Sequence, residues 1–231
     1  MSEEIALYRV FIASPSGLEP ERAAFVKTLE GYNLGEAIPQ QAMFFHVRWE
    51  DTLAGVGRPQ ELINQDLDKC DYFVLVLWDR WGTPPGDSEY TSGTEEEYRR
   101  AMEHLHDRPQ YPLKEIIVFF KNVDDQRRRD PGDQLRKVLD FRKRVEDAHL
   151  LLYYTFDDTA EFEEKLRRHL GKWLRDHAKT STTRVAQERA RVPEVIEVPK
   201  PYIAPGVQAV PNPGSPAVVP IPAKGTGGVD G

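Results

Sequence analysis

The chain has 231 residues, 39% hydrophobic and 30% charged, with a formal net charge of -7, which leaves room for one good-sized packed domain and opposes binding to nucleic-acid phosphates. Its single cysteine, Cys70, excludes an internal disulfide. The opening "MSEEIALYRVFIAS" has neither the basic region nor the apolar length of a signal or membrane span, so a cytoplasmic protein without a membrane partner is expected.

Short apolar runs alternate with amphipathic stretches along the first 178 residues. A strand is predicted over 6–14, "ALYRVFIAS". A helix follows over 18–32, with Ala23, Phe25, Val26 and Leu29 at helical spacing and Ser16 as its cap. A second strand is expected over 43–49. The next helix, 58–70, starts with Pro59 at a suitable first position and puts Leu62, Ile63 and Leu67 on one face. The continuous apolar run "DYFVLVLW", 71–78, reads as a central strand buried on both faces, with Cys70 heading it as a core residue. A third helix starts after Gly93, and strands over 114–120 and 150–156 enclose a charged helix over 133–146. A last helix spans 159–178. Arg127, Arg128 and Arg129 read as a solvated loop run.

Five strands alternating with five helices predict an α/β fold, a flavodoxin-like parallel sheet of order 2-1-3-4-5 with helices on both faces. Beyond residue 179 the composition changes. Nine of the 18 prolines lie between Pro193 and Pro222, so 1–179 is expected to form the domain and 180–231 a disordered or polyproline-type tail.

In such sheets ligands sit outside the carboxyl ends of the strands at the switch point, here between strands one and three. The expected site loops are "SPSG" (14–17), "EDTLAGVGRPQ" (50–60) and "DRWGTPPGDSEYTSG" (79–93). "GVG" lacks the third glycine of a dinucleotide fingerprint, and "SPS" is no nucleophile elbow. His104 and His106, two residues apart, diverge around a helix, and no metal is expected.

The stretch "YTSGTEEEYRR" (90–100) carries two readings. Thr94-x-x-Glu97 has the form of a capping box, with acidic residues suited to a helix start. Alternatively Glu97, one turn before Ala101 on the edge facing the sheet, is aimed at a substrate. Glu95 and Glu96 are expected to be solvated. Trp78 and Trp81 flank Arg80 at the mouth of the crevice, either as structural rings or as flat faces for a heteroaromatic base.

The segments "YRVFIASPSGLEPER", Trp49-Glu50-Asp51, "RPQELINQDLDKCDYFVLVLWDRWGTP" and "SGTEEEYRRA" resemble the TIR-like bacterial family catalogued as domain of unknown function 4062. The resemblance covers about residues 7–125. A broader similarity links TIR domains with nucleoside deoxyribosyltransferases, in which a Thr-x-x-Glu-x-x-x-Ala helix start carries the catalytic glutamate; Thr94, Glu97 and Ala101 match it. What the resemblance implies is cleavage of a nucleotide N-glycosidic bond, that between nicotinamide and ribose in NAD, within bacterial immune signalling. NAD is then a substrate, and no cofactor is implied. Glu97 would be catalytic, and position suggests Ser14, Ser16, Trp49, Arg58, Trp78, Arg80, Trp81 and Thr94 for substrate binding. The family implies self-association and a sensor or STAND-type NTPase as partner. A non-catalytic TIR-like assembly module and a nucleoside base-exchange enzyme are the alternatives.

Overall fold

The computed structural model describes residues 5–47, 59–86, 89–148 and 153–180. Five parallel strands form one sheet in the order β2-β1-β3-β4-β5. They are β1 (Ala6–Ala13), β2 (Ala42–Val47), β3 (Tyr72–Leu77), β4 (Glu115–Lys121) and β5 (Tyr153–Phe156). The expected order is therefore observed. β3 sits in the centre, and all six of its residues are buried because helices cover both faces there.

On one face pack α1 (Glu19–Tyr32) and α6 (Thr159–Thr180). Phe25 and Leu29 of α1, and Phe162, Leu166, Leu170 and Trp173 of α6, recur at three- and four-residue spacing and bury against Val10, Ile12, Phe44, Val74 and Phe119. Trp173 stacks on Tyr72 with ring centroids 3.8 Å apart. On the other face α2 (Pro59–Leu67), α3 (Gly93–His106) and α5 (Asp133–Ala148) cover Phe11, Phe73, Leu75 and Val118 with Leu67, Tyr98, Met102 and Phe141.

Three local features depart from expectation. Ser16 does not cap α1, which has Leu18 at its cap and no side-chain cap bond; the Ser16 hydroxyl instead accepts from Arg80 Nη1 at 3.3 Å. The chain leaves α1 through a π-helical turn (Asn33–Ala37) and a 3-10 turn (Ile38–Gln40). The Asn33 carboxamide there bonds both N and O of Phe44, at 2.9 and 2.8 Å, and so ties the wide turn to β2. Finally, the arginine run forms a short helix, α4 (Asp125–Arg129), because Asp124 caps it by accepting from Arg127 N at 2.9 Å. Arg127 is not simply solvated, since it pairs with Asp79 at 2.5 Å.

Among the described residues no helix is long and apolar enough to cross a membrane. Phe119 is fully buried, with Phe156, Phe162 and Tyr154 around its ring. Phe119→Ala should cost about 3–5 kcal/mol, read as a lower denaturant midpoint with unchanged slope.

Candidate functional site

The carboxyl ends of β1 and β3 converge with the start of α3. Gly82, after β3, has φ +102, and a Cβ there would lie 3.2 Å from Ser92 Cβ and 3.8 Å from Pro15 Cβ. A residue with a side chain would be strained and crowded, so glycine lets the two loops and the helix start meet. Gln134, early in α5, braces this junction: its Oε1 accepts from Trp81 N at 2.8 Å and Gly82 N at 3.0 Å. Arg22 of α1 reaches in from the opposite face and donates to Ser14 Oγ at 3.0 Å and Pro15 O at 3.3 Å.

The capping residue of α3 is Ser92, not Thr94. Ser92 is fully buried with extended backbone, and its hydroxyl accepts from Glu95 N at 3.0 Å. The helix begins two residues earlier than a Thr94 cap requires, because Gly93 adopts the first helical position. Glu97 is accordingly beyond the reach of a box with Thr94. The first turn is instead closed by Glu95, whose Oε2 accepts from Thr91 N at 2.9 Å.

All three glutamates are buried, with 4, 5 and 7% exposure for Glu95, Glu96 and Glu97. The expectation of solvated Glu95 and Glu96 fails because side chains from neighbouring elements enclose the helix start. Glu95 lies 3.4 Å from Arg99 Nε. Glu96 accepts from Asn64 Nδ2 at 2.7 Å. Glu97 accepts through Oε1 from Gln60 Nε2 at 3.0 Å, and Oε2 takes no hydrogen bond among the described residues.

Gln60, Asn64 and Asp68 are four residues apart along one face of α2 and just beyond its end. They meet Glu97, Glu96, Arg100 and His104 on α3 in a polar ladder between two helices. Its last rung is bidentate, Arg100 to Asp68 at 2.5 and 2.7 Å, with His104 Nε2 3.2 Å from the same carboxylate.

Burial dominates the electrostatics of Glu97. Loss of hydration pushes its carboxyl up to about 7, the neighbouring Glu96 charge adds to this, and the Gln60 bond works against it. At neutral pH the group is poised between its two forms.

The other candidates separate into groups. Ser14 is bound to Arg22, and Ser16 to Arg80. Trp81 is 3% exposed; its ring packs on Phe141 and its Nε1 donates to Thr91 Oγ1 at 2.7 Å, so it builds the core and not a stacking platform. Trp78 directly follows β3 and packs against the end of β4. It donates to Asn122 O at 3.2 Å, and Lys121 Nζ and Arg127 lie over its ring at 4.7 and 5.4 Å. Thr94 is buried beside Glu95. Trp49 and Arg58 lie outside the described residues. Sequence reasoning missed Gln60, Asn64, Ser92 and Gln134; only the four-residue spacing of Gln60, Asn64 and Asp68 signalled a polar face on α2.

Among the described residues no group of three His, Cys, Asp or Glu side chains is placed to hold a metal ion. Burial pushes the Cys70 thiol far above its ordinary value, which keeps it an unreactive core residue.

The fold and this junction define a doubly wound α/β domain with a buried acidic helix start beside its topological switch point. Residues 9–171 match the family described as Domain of unknown function (DUF4062), and the chain belongs to that family. No curated protein and no solved structure matches it.

Two measurements check this arrangement. Ser92→Ala should lower stability by about 1 kcal/mol, and Thr94→Val by less, in equilibrium denaturation. The Glu97 carboxyl ordinarily titrates at 4.5 and in the fold at about 7. Between these values the folded chain holds the extra proton, so stability present below pH 4.5 is lost as pH rises through 7. Glu97→Gln should therefore raise stability at pH 8 by on the order of 3 kcal/mol and change it little at pH 4.5, measured as Tm at the two pH values.

Proposed function

We propose that the domain is a TIR-like NAD glycohydrolase that cleaves the nicotinamide–ribose bond, with Glu97 as its catalytic carboxylate. The observation that carries the reading is the state of Glu97: withdrawn from water, titrating near neutrality, held through one oxygen by Gln60 and not engaged in capping the helix. A carboxylate kept in that state is costly to the fold, and such groups cluster at functional sites.

The chemistry fits a single acid. Nicotinamide departs as a neutral molecule from a pyridinium cation, so its leaving needs no protonation. The carboxylate orients the ribose hydroxyls and stabilises the oxocarbenium-like charge that grows as the C–N bond breaks; water then adds to the sugar and gives up a proton to solvent. The neighbouring acids are occupied otherwise, Glu96 by Asn64 and Glu95 by Thr91. In this reading Arg80 and Ser16 border the site and are available to phosphate oxygens. The biological setting is the one its family resemblance implies, an effector in bacterial immune signalling under a sensor or a STAND-type NTPase.

The assembly-module reading has its own observation. Leu7 and Phe45 are each 44% exposed on adjacent strands at the β2 edge of the sheet, and Leu34 in the nearby turn is 76% exposed.

Concentrated protein incubated with NAD should release nicotinamide, and Glu97→Gln should slow release at least about 100-fold. Because the ionised carboxylate acts, the wild-type rate should fall about tenfold per pH unit below 7 and level off above it. Self-association with no nicotinamide release under any assembling condition rejects the enzyme in favour of the module.

A further inference from the structure

The first rung of the α2–α3 ladder has a geometry that packing alone does not require. Gln60 is 9% exposed, and its carboxamide is wedged between two features of α3. Its Nε2 donates to Glu97 Oε1 at 3.0 Å, while its Oε1 lies only 2.6 Å from the position a Cβ on residue 93 would take. The amide holds this position because residue 93 is glycine; a Cβ there would make its flexible end shift. Gly93 has no positive φ, so close approach and not backbone conformation is the reason for glycine here.

A glutamine suits this place in a way that a cation does not. An arginine or lysine would neutralise the carboxylate and pull its titration well down. A neutral amide donor fixes the rotamer and moderates the effect of burial without supplying a countercharge. It also occupies one oxygen only, and Oε2 takes no bond among the described residues. The other rungs are unlike it: Asp68 is locked by a bidentate arginine, and Asn64 holds Glu96.

We propose that Gln60 is the positioning residue of Glu97, holding Oε1 so that Oε2 is presented to the ribose hydroxyls, with Gly93 as the residue that admits the amide. This rests on the glycohydrolase reading for its purpose but not for its physical content. Gln60 touches no reacting atom; it acts through the orientation and ionisation of Glu97.

The test uses the full chain in three variants. Gln60→Leu removes the donor. Gly93→Ala keeps the glutamine but places a methyl group against its flexible end, so the amide shifts and the backbone stays. Asn64→Leu removes the neighbouring rung, a hydrogen bond to Glu96 and not to Glu97. The Glu97 carboxyl is followed by carbon NMR as pH is varied, and the acid limb of nicotinamide release is followed in parallel.

Gln60→Leu and Gly93→Ala should each raise the Glu97 titration by about one to two pH units, the size expected for losing a hydrogen bond to a charged group. The acid limb should move by the same amount, and Asn64→Leu should not raise the titration. If neither Gln60→Leu nor Gly93→Ala moves it, the proposal is overturned; should one of them not fold, the other decides. A titration that shifts in protein releasing no nicotinamide upholds the hold of Gln60 on Glu97 and rejects the glycohydrolase, so the two failures are distinguishable.

Discussion

Three consecutive carboxylates can leave water together only if each finds its own donor. Successive residues of α3 are turned by about 100° from one another, and the fold uses that rotation. Glu95 turns to the loop before the helix, and Glu96 and Glu97 to two successive rungs of α2. This partition ties α2 to α3. It also fixes where the chain after β3 re-enters the domain, because Ser92 and Gly93 take part in the same junction.

The cost is uneven. Ser92 satisfies the helix end, and Asp68 satisfies Arg100 with two bonds. The Glu97 carboxyl is pushed up to about 7, since burial outweighs one amide donor. Stabilising interactions thus surround one destabilised group. That is the distribution the proposed glycohydrolase requires, since active sites give up stability for chemistry.

The second group at the carboxyl edge has a different character. Trp78, Lys121, Asp79 and Arg127 link the ends of β3 and β4 to α4 and, through Glu21, to α1. These contacts account for Trp78 as a structural ring, with Lys121 and Arg127 already over its face. Trp81, one turn of loop further on, is drawn into the core by Phe141 and Thr91. Two tryptophans close in sequence therefore serve different neighbours.

What residue order determined by itself was the architecture. Alternating apolar runs and amphipathic stretches specified five parallel strands in the order 2-1-3-4-5, since hydrophobic period and connection handedness are local or near-local constraints. The switch point, and the approach of the 14–17 and 79–93 loops to it, followed from that order. The π-helical turn and α4 escaped the pattern, one depending on Asn33 meeting Phe44 eleven residues on, the other on a single Asp124 cap. Only the tertiary structure decided which residue caps α3, and that Glu95 and Glu96 are buried and not solvated. It alone brought Gln60 to Glu97 across 37 positions. The reason is physical: a carboxylate's partner and its ionisation are set by whatever the fold places within about 3 Å of it, and no periodicity along one chain segment records the side chains of another.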